Sequence, residues 1–227
     1  MGKDNTWKDV LLNYALYIIL GIMIIGVVIA DRSFLSASNM WKILAQASTR
    51  GIMALGVAGL IVLAGTDLSA GRIIGCGAAV SASLLQSVEY ASRMYPQITT
   101  PLNMFIPLLL SIAICVLLSL LNGFGVAKLK MHAFIISLGT QLIAYGILCL
   151  YIDSQKGGAQ PIASLDKKYI ELVNGKFFDK VPHLVVFLVI AAVIMWFVWN
   201  KTTLGKNMFA IGGNMEAAAV SGVNVDR

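Results

Sequence analysis

The sequence is 227 residues long, 58% hydrophobic and 12% charged, with 17 Lys and Arg against 11 Asp and Glu for a net charge of +6. Soluble domains carry about 25% charged residues, so this composition excludes a soluble globular protein and points to an all-α, polytopic helical membrane protein. The basic residues flank apolar runs as interfacial anchors and form no basic helix with interleaved aromatics, which argues against a nucleic-acid partner.

A run of about 20 apolar residues crosses a hydrocarbon core of about 30 Å. Six such runs are expected, at residues 11–30, 43–64, 73–88, 104–127, 134–152 and 184–199. The first is long and is followed by no small-residue cleavage site, so it reads as a span rather than a cleavable leader. The alternating short segments of a membrane β-barrel are not evident. The chain is expected to be a single transmembrane domain over residues 1–227, and an even number of spans puts both ends on one side. Gln46, Ser48, Thr49 and Arg50 make the start of the second span polar.

Between the second and third spans runs Gly65-Thr66-Asp67-Leu68-Ser69-Ala70-Gly71-Arg72. Short apolar stretches broken by Gly and polar residues are a pointer to a transport pathway at membrane depth. An acid there is costly unless partnered or wet, so Asp67 and Ser69 are candidates for the translocation path. The structural alternative is that Asp67 or Ser69 caps the third helix while Arg72 snorkels to the interface. Gly71, Gly75, Ala79 and Ser83 recur every four residues and form a smooth ridge on which another helix can pack closely.

The turn after the fourth span holds Lys128 and Lys130. In the fifth span Ser137, Gln141 and Tyr145 fall at i, i+4, i+8 and share a face. Such a stripe must face protein or water inside a bilayer, so it either lines a polar path or bonds between helices. The longest connection, residues 153–182, contains Lys-Gly-Gly at 156–158, Pro161 and mixed charge, and could hold a short surface helix. Trp196 and Trp199 close the sixth span at the interface. Orientation is not decided by charge: eight Lys or Arg lie on the side of the termini and eight on the other, with Arg50 inside a span. Only the acid-free turn at Lys128 and Lys130 leans toward cytoplasmic termini.

The polar segment at residues 201–227 carries the signals of one short, doubly capped helix. Asn214 is a good N-cap, Glu216 suits the positive end of the helix dipole, and Gly222 can take the left-handed conformation that closes a helix. Ala217, Ala218 and Ala219 lie between. Isolated helices shorter than about 12 residues are marginal, so this one is expected to dock on a partner.

Several chemistries find no support. Cys76, Cys115 and Cys149 sit in apolar runs without C-x-x-C spacing, and His132 and His183 are isolated, so no metal site is expected. No phosphate-binding loop and no nucleophile elbow occurs. No catalytic residue and no cofactor is expected, and the chain has no visible means of using ATP. The sequon Asn200-Lys201-Thr202 abuts the membrane and reads as chance.

Gly56-Val57-Ala58-Gly59-Leu60-Ile61-Val62 leading into Gly65–Gly71, then Phe134-Ile135 with Leu138-Gly139-Thr140, and above all Gly205-Lys206 through Ala210-Ile211-Gly212-Gly213-Asn214 to Gly222-Val223-Asn224-Val225, resemble the monosaccharide permeases of bacterial ATP-binding-cassette importers. The resemblance covers nearly the whole chain and is nearest to the galactose/methyl-galactoside branch, with ribose permeases more distant. It implies two permease copies in a type II-like importer, two cytoplasmic ATPase subunits and a periplasmic sugar-binding protein, in the bacterial inner membrane with both termini cytoplasmic. It implies further that Gly213, Asn214, Met215, Glu216, Ala217, Ala218, Ala219 and Gly222 form the coupling helix seated in the ATPase, and that residues 153–182 lie outside. Met215 stands where the family usually has proline, which should loosen the helix start slightly. Members of the family continue with further spans, so a C-terminally truncated permease is expected. Two other readings stay open: an ion-coupled secondary transporter using Asp67, and a truncated chain with a role in assembly only.

Overall fold

The computed structural model describes residues 7–155 and 160–225, with side chains from Tyr14 onward, so the Lys-Gly-Gly at 156–158 falls outside the described residues. The regular structure of the described residues is almost entirely helical. Helix α1 (Trp7–Ala30) is followed by a 3-10 turn, Arg32–Leu35, and then α2 (Ala37–Val62), α3 (Ala70–Leu84), α4 (Phe105–Ala127) and α5 (Ala133–Asp153). A short α6 (Lys167–Asn174) and a two-residue hairpin, β1 (Lys176–Phe177) with β2 (Val181–Pro182), lead to α7 (His183–Lys201), α8 (Thr203–Gly213) and α9 (Met215–Val220).

Six of these helices fall on the six expected spans. Helices α2, α4, α5 and α7 are long and apolar enough to cross a membrane, while Tyr14–Ala30 and α3 are shorter apolar helices. Three boundaries differ from expectation by four residues or more, the first helix beginning at Trp7 rather than 11. The second span begins at Ala37 rather than 43, because Ser36 accepts from Asn39 N at 3.3 Å and the polar start is absorbed within the helix. Ser48, for example, is buried and returns its hydroxyl to Leu44 O at 2.6 Å. The third span stops at Leu84 rather than 88. There the chain turns to pair with the long connection, through Ser87 N to Ser164 O at 2.7 Å and Asp166 N to Leu85 O at 2.8 Å.

Asp31 caps the 3-10 turn, its carboxylate accepting from the Ser33 hydroxyl and N–H, each at 2.8 Å. Those two bonds hold its carboxyl below the usual carboxylate range, the hydroxyl contributing most.

Packing divides into two groups. Helix α3 is enclosed by α4 and α5, with Ile73, Cys76, Leu118 and Ala144 as their shared buried core. Helix α2 lies along α7, and α8 folds back onto the ends of both. Helices α2 and α4 run toward the α8 end of the molecule, and α3 and α5 run away from it. Many apolar side chains on α1, α4, α5 and α7 remain exposed, as the lipid-facing or helix-facing surface of a membrane protein requires.

Candidate functional sites: a recessed loop and a terminal helix pair

The loop between α2 and α3 is drawn into the span. Helix α2 closes at Ala64, which takes a positive φ of 55° while Gly65 N reaches back to Leu60 O at 2.9 Å. Asp67 Oδ1 then accepts both the backbone N–H of Ser69 at 2.7 Å and its hydroxyl at 2.6 Å. Asn122 of α4 donates its Nδ2 to the same Ser69 hydroxyl at 2.7 Å. On the other side, the Ser137 hydroxyl of α5 lies 3.3 Å from Thr66 O and 3.1 Å from Phe134 O. Asn122 stands five residues before the end of α4 and Ser137 four residues after the start of α5, so these bonds hold the loop roughly 6–8 Å inside both helix ends.

Non-helical backbone at that depth is tolerated only where protein or an aqueous cavity satisfies it. Here protein does so: Ser69 is fully buried, and the Asn122–Ser69–Asp67 chain joins α4 to the start of α3. The buried Oδ1 of Asn122 has no hydrogen-bond partner among the described residues. Asn122 carried no signal in the sequence, because its meaning comes from a partner 53 positions away.

The polar stripe of α5 is split by burial. Ser137 is buried against the loop, Gln141 is half-buried, and Tyr145 is exposed with the Arg72 guanidinium over its ring at 4.5 Å. The small-residue ridge of α3 is split as well. Gly75 touches Leu148 of α5, Ala79 is buried, and Ser83 is bonded to Tyr151 OH at 2.6 Å, while Gly71 faces open space. The tightest approach lies off that ridge, at Gly77, where an added Cβ would come within 2.6 Å of Cys115 Sγ and 2.7 Å of Ser111 Oγ. Cys76 and Cys115 return their thiols to Ala144 O and Ile73 O. His132 caps α5, and His183 meets Leu172 O at 2.8 Å.

Away from the recessed loop, α3, α4 and α5 enclose a largely apolar cleft of about 500 Å³, whose lining includes Val80, Ile114, Leu148 and Tyr151. The Tyr95, Tyr151 and Ser83 hydroxyls form a chain at one edge, with Tyr95 OH 3.0 Å from Tyr151 OH.

The terminal segment is a pair of helices rather than one. Thr202 caps α8 by accepting from Gly205 N at 3.2 Å, and Gly205 lies against the backbone of Trp199 and Val198, where a side chain would collide. Met208 lies against Gly59, and Gly212 meets the carbonyl of Val62 too closely for any Cβ. The far end of α8 is thereby seated on the end of α2, next to the recessed loop. Asn214 serves both helices: its N–H closes α8 on Ala210 O at 3.1 Å, and its Oδ1 opens α9 by accepting from Ala217 N at 2.9 Å. Glu216 lies in the first turn of α9, and Gly222 has a φ of 84° just past its end. Ala218 is 4% exposed and Val220 91% exposed, so α9 holds one face to the protein and offers the other.

The family described as the branched-chain amino acid transport system / permease component matches residues 39–227. The chain belongs to this permease family. It is 43% identical to the galactose/methyl galactoside import permease of Haemophilus influenzae, over 99% of this chain and 67% of that protein. The counterpart from Salmonella typhimurium is 44% identical over 92% of this chain and 62% of its own length. The ribose import permease of Bacillus subtilis is 30% identical over 91% of this chain and 59% of its own. The permease chain thus spans about two thirds of the length of these relatives. No solved structure matches it.

Proposed function

We propose that this chain is the membrane-spanning permease of an ATP-binding-cassette importer in the bacterial inner membrane, and that its cargo is galactose or a methyl galactoside. The carrying observation is the identity of 43–44% to galactose/methyl galactoside import permeases over 92–99% of the chain. The structure supplies a fitting element in α8–α9, which is seated on α2 at one end and leaves Val220 and Met215 free at the other.

In this reading the α8 end and both termini face the cytoplasm, and residues 153–182 face the periplasm. A cytoplasmic ATPase subunit binds the exposed face of α9, a periplasmic sugar-binding protein delivers cargo to the opposite end, and a second permease copy completes a homodimer. Closure of the ATPase on ATP pushes α9. The push passes through α8 to the end of α2 and to the loop tied by Ser69 to α4 and by Thr66 to α5. Reorientation of those helices alternates access to the path. The permease does no covalent chemistry. Asp67, Ser69, Gln141 and Tyr145 are proposed to shape the path, with Asp67 and Ser69 setting the loop that borders it.

Reconstitution of the chain with its ATPase and binding protein tests the reading. ATP-dependent uptake of galactose is the expected result; ATP-independent uptake abolished by Asp67→Asn would establish the ion-coupled alternative instead.

A further inference from the structure

Helices α3 and α5 run side by side in the same direction. Cys76 Sγ donates to Ala144 O at 3.1 Å, and Ser83 Oγ meets Tyr151 OH at 2.6 Å, so the two helices stay in step at an offset of 68 residues. The same offset sets Arg72 beside Thr140, seven residues into α5 and roughly 10 Å from its start. From there the Arg72 guanidinium carbon lies 4.5 Å from the centre of the Tyr145 ring. Tyr145 is twelve residues into the 21-residue span of α5, about 18 Å from its start. The ring leans back toward the start of α5, as helical side chains do, so the cation lies level with the turn between Thr140 and Tyr145, inside the span rather than beyond its start.

A charge at that depth faces protein or water, not lipid. Among the described residues no carboxylate forms an ion pair with Arg72, and both it and Tyr145 are exposed. The ring takes one face of the guanidinium and fixes its plane. The planar N–H donors and the phenol hydroxyl remain available, and the half-buried amide of Gln141 lies one helical turn from Tyr145. This set is rich in donors, rigid, and free of carboxylate. It suits a solute that offers several oxygen acceptors at once and supplies no carboxylate to hold a cation, and the importer reading makes that solute an uncharged polyol.

We propose that Arg72 and Tyr145 form a contact point for a polyhydroxylated, uncharged solute on the wall of a water-filled path within the membrane. The proposal rests on the importer reading above and assigns the chemistry of one place on its path. Arg72 supplies the hydrogen bonds and Tyr145 positions it.

The test uses the complete importer in membrane vesicles, with galactose and its monodeoxy analogues as cargo. Wild-type uptake should favour galactose over at least one analogue lacking a single hydroxyl, and Arg72→Gln should flatten that preference by about fivefold, the worth of one hydrogen bond. Arg72→Lys, which keeps the charge but not the planar fork, should restore the preference only in part. A parallel fall for all cargoes, or none at all, would overturn the proposal. A second measurement is independent of transport. In a Cys115→Ala, Cys149→Ala background, which leaves only the buried Cys76, Arg72→Cys should be labelled by a charged, membrane-impermeant thiol reagent, and protection from that reagent would also overturn it. If wild-type vesicles take up no sugar with ATP, the importer reading fails, and the labelling alone then decides whether this face is wet.

Discussion

Gly212 meets the carbonyl oxygen of Val62 so closely that α8 has room for no side chain at that point. Its neighbour Gly213 has nothing within 4 Å of where a Cβ would stand. Gly212→Ala should therefore pry α8 off α2, at a cost of about 1–3 kcal/mol for overpacking, and Gly213→Ala should be close to neutral. Sugar uptake per ATP hydrolysed, measured for both variants in the reconstituted importer, distinguishes them. Equal effects would break the assignment of α8 as the link to α2.

Asn214 and Gly222 close the two ends of α9. Asn214→Ala should cost about 1 kcal/mol as a lost cap, and Gly222→Ala should cost about 1 kcal/mol through its left-handed backbone. Asn214→Ser should retain most of the cap. In the importer proposed above, each 1.4 kcal/mol lost from this docking helix lowers affinity by up to tenfold, so titration of the permease with the ATPase subunit reads the effect. Val220→Asp, at an exposed apolar position, should weaken the same binding without lowering thermal stability.

Ser69 is the shared partner of Asp67 and Asn122 and is fully buried. Ser69→Ala strands the Asn122 amide and should cost about 1–3 kcal/mol. Adding Asn122→Leu removes the stranded group, so the double variant should be less destabilised than the two single effects combined. Thermal unfolding of the four proteins in detergent gives the coupling; strict additivity would show that the bond contributes nothing.

Gly77 is packed against Cys115 and Ser111 of α4 with no room for a Cβ, and Gly71 faces open space. Gly77→Val should destabilise by about 2 kcal/mol or more from overpacking. Gly71→Ala should be neutral or stabilise by up to about 1 kcal/mol through helix propensity. The same unfolding assay checks both.

The carboxyl of Asp31 is held below the usual carboxylate range by Ser33. The cap it forms is thus fully present above the ordinary carboxylate pKa and is lost as pH falls through the lowered value. Ser33→Ala should move the Asp31 titration, followed by NMR of its carboxyl carbon, back up toward the usual range. An unmoved titration would mean that the hydroxyl is not its partner.

The helices were legible because span length and caps are local properties. Asn214, Glu216 and Gly222 announce α9 within nine residues of sequence. Helix α8 was not legible: Thr203–Gly213 contains three glycines, poor helix formers, and its helix depends on docking to α2 and α7. The recessed loop was legible as a place but not as a set of bonds. Nothing near Asn122 marks it as the partner of Ser69, since only the register of α3 against α4 brings them together. The partner of Arg72 was hidden for the same reason. Read alone, a Lys or Arg at a helix start snorkels outward, and only the in-step alignment of α3 with α5 turns this one toward Tyr145.

Helix α3 has 15 residues and a length of about 22 Å, against a hydrocarbon core of about 30 Å. The difference of roughly 8 Å is taken up by backbone and polar side chains instead of apolar helix. Beside α3 the apolar wall of the protein is shorter by the same amount, and in the importer proposed above a solute moving along it would be without polar contacts over a shorter distance. In that reading the barrier is lowered by geometry before any side chain binds the cargo.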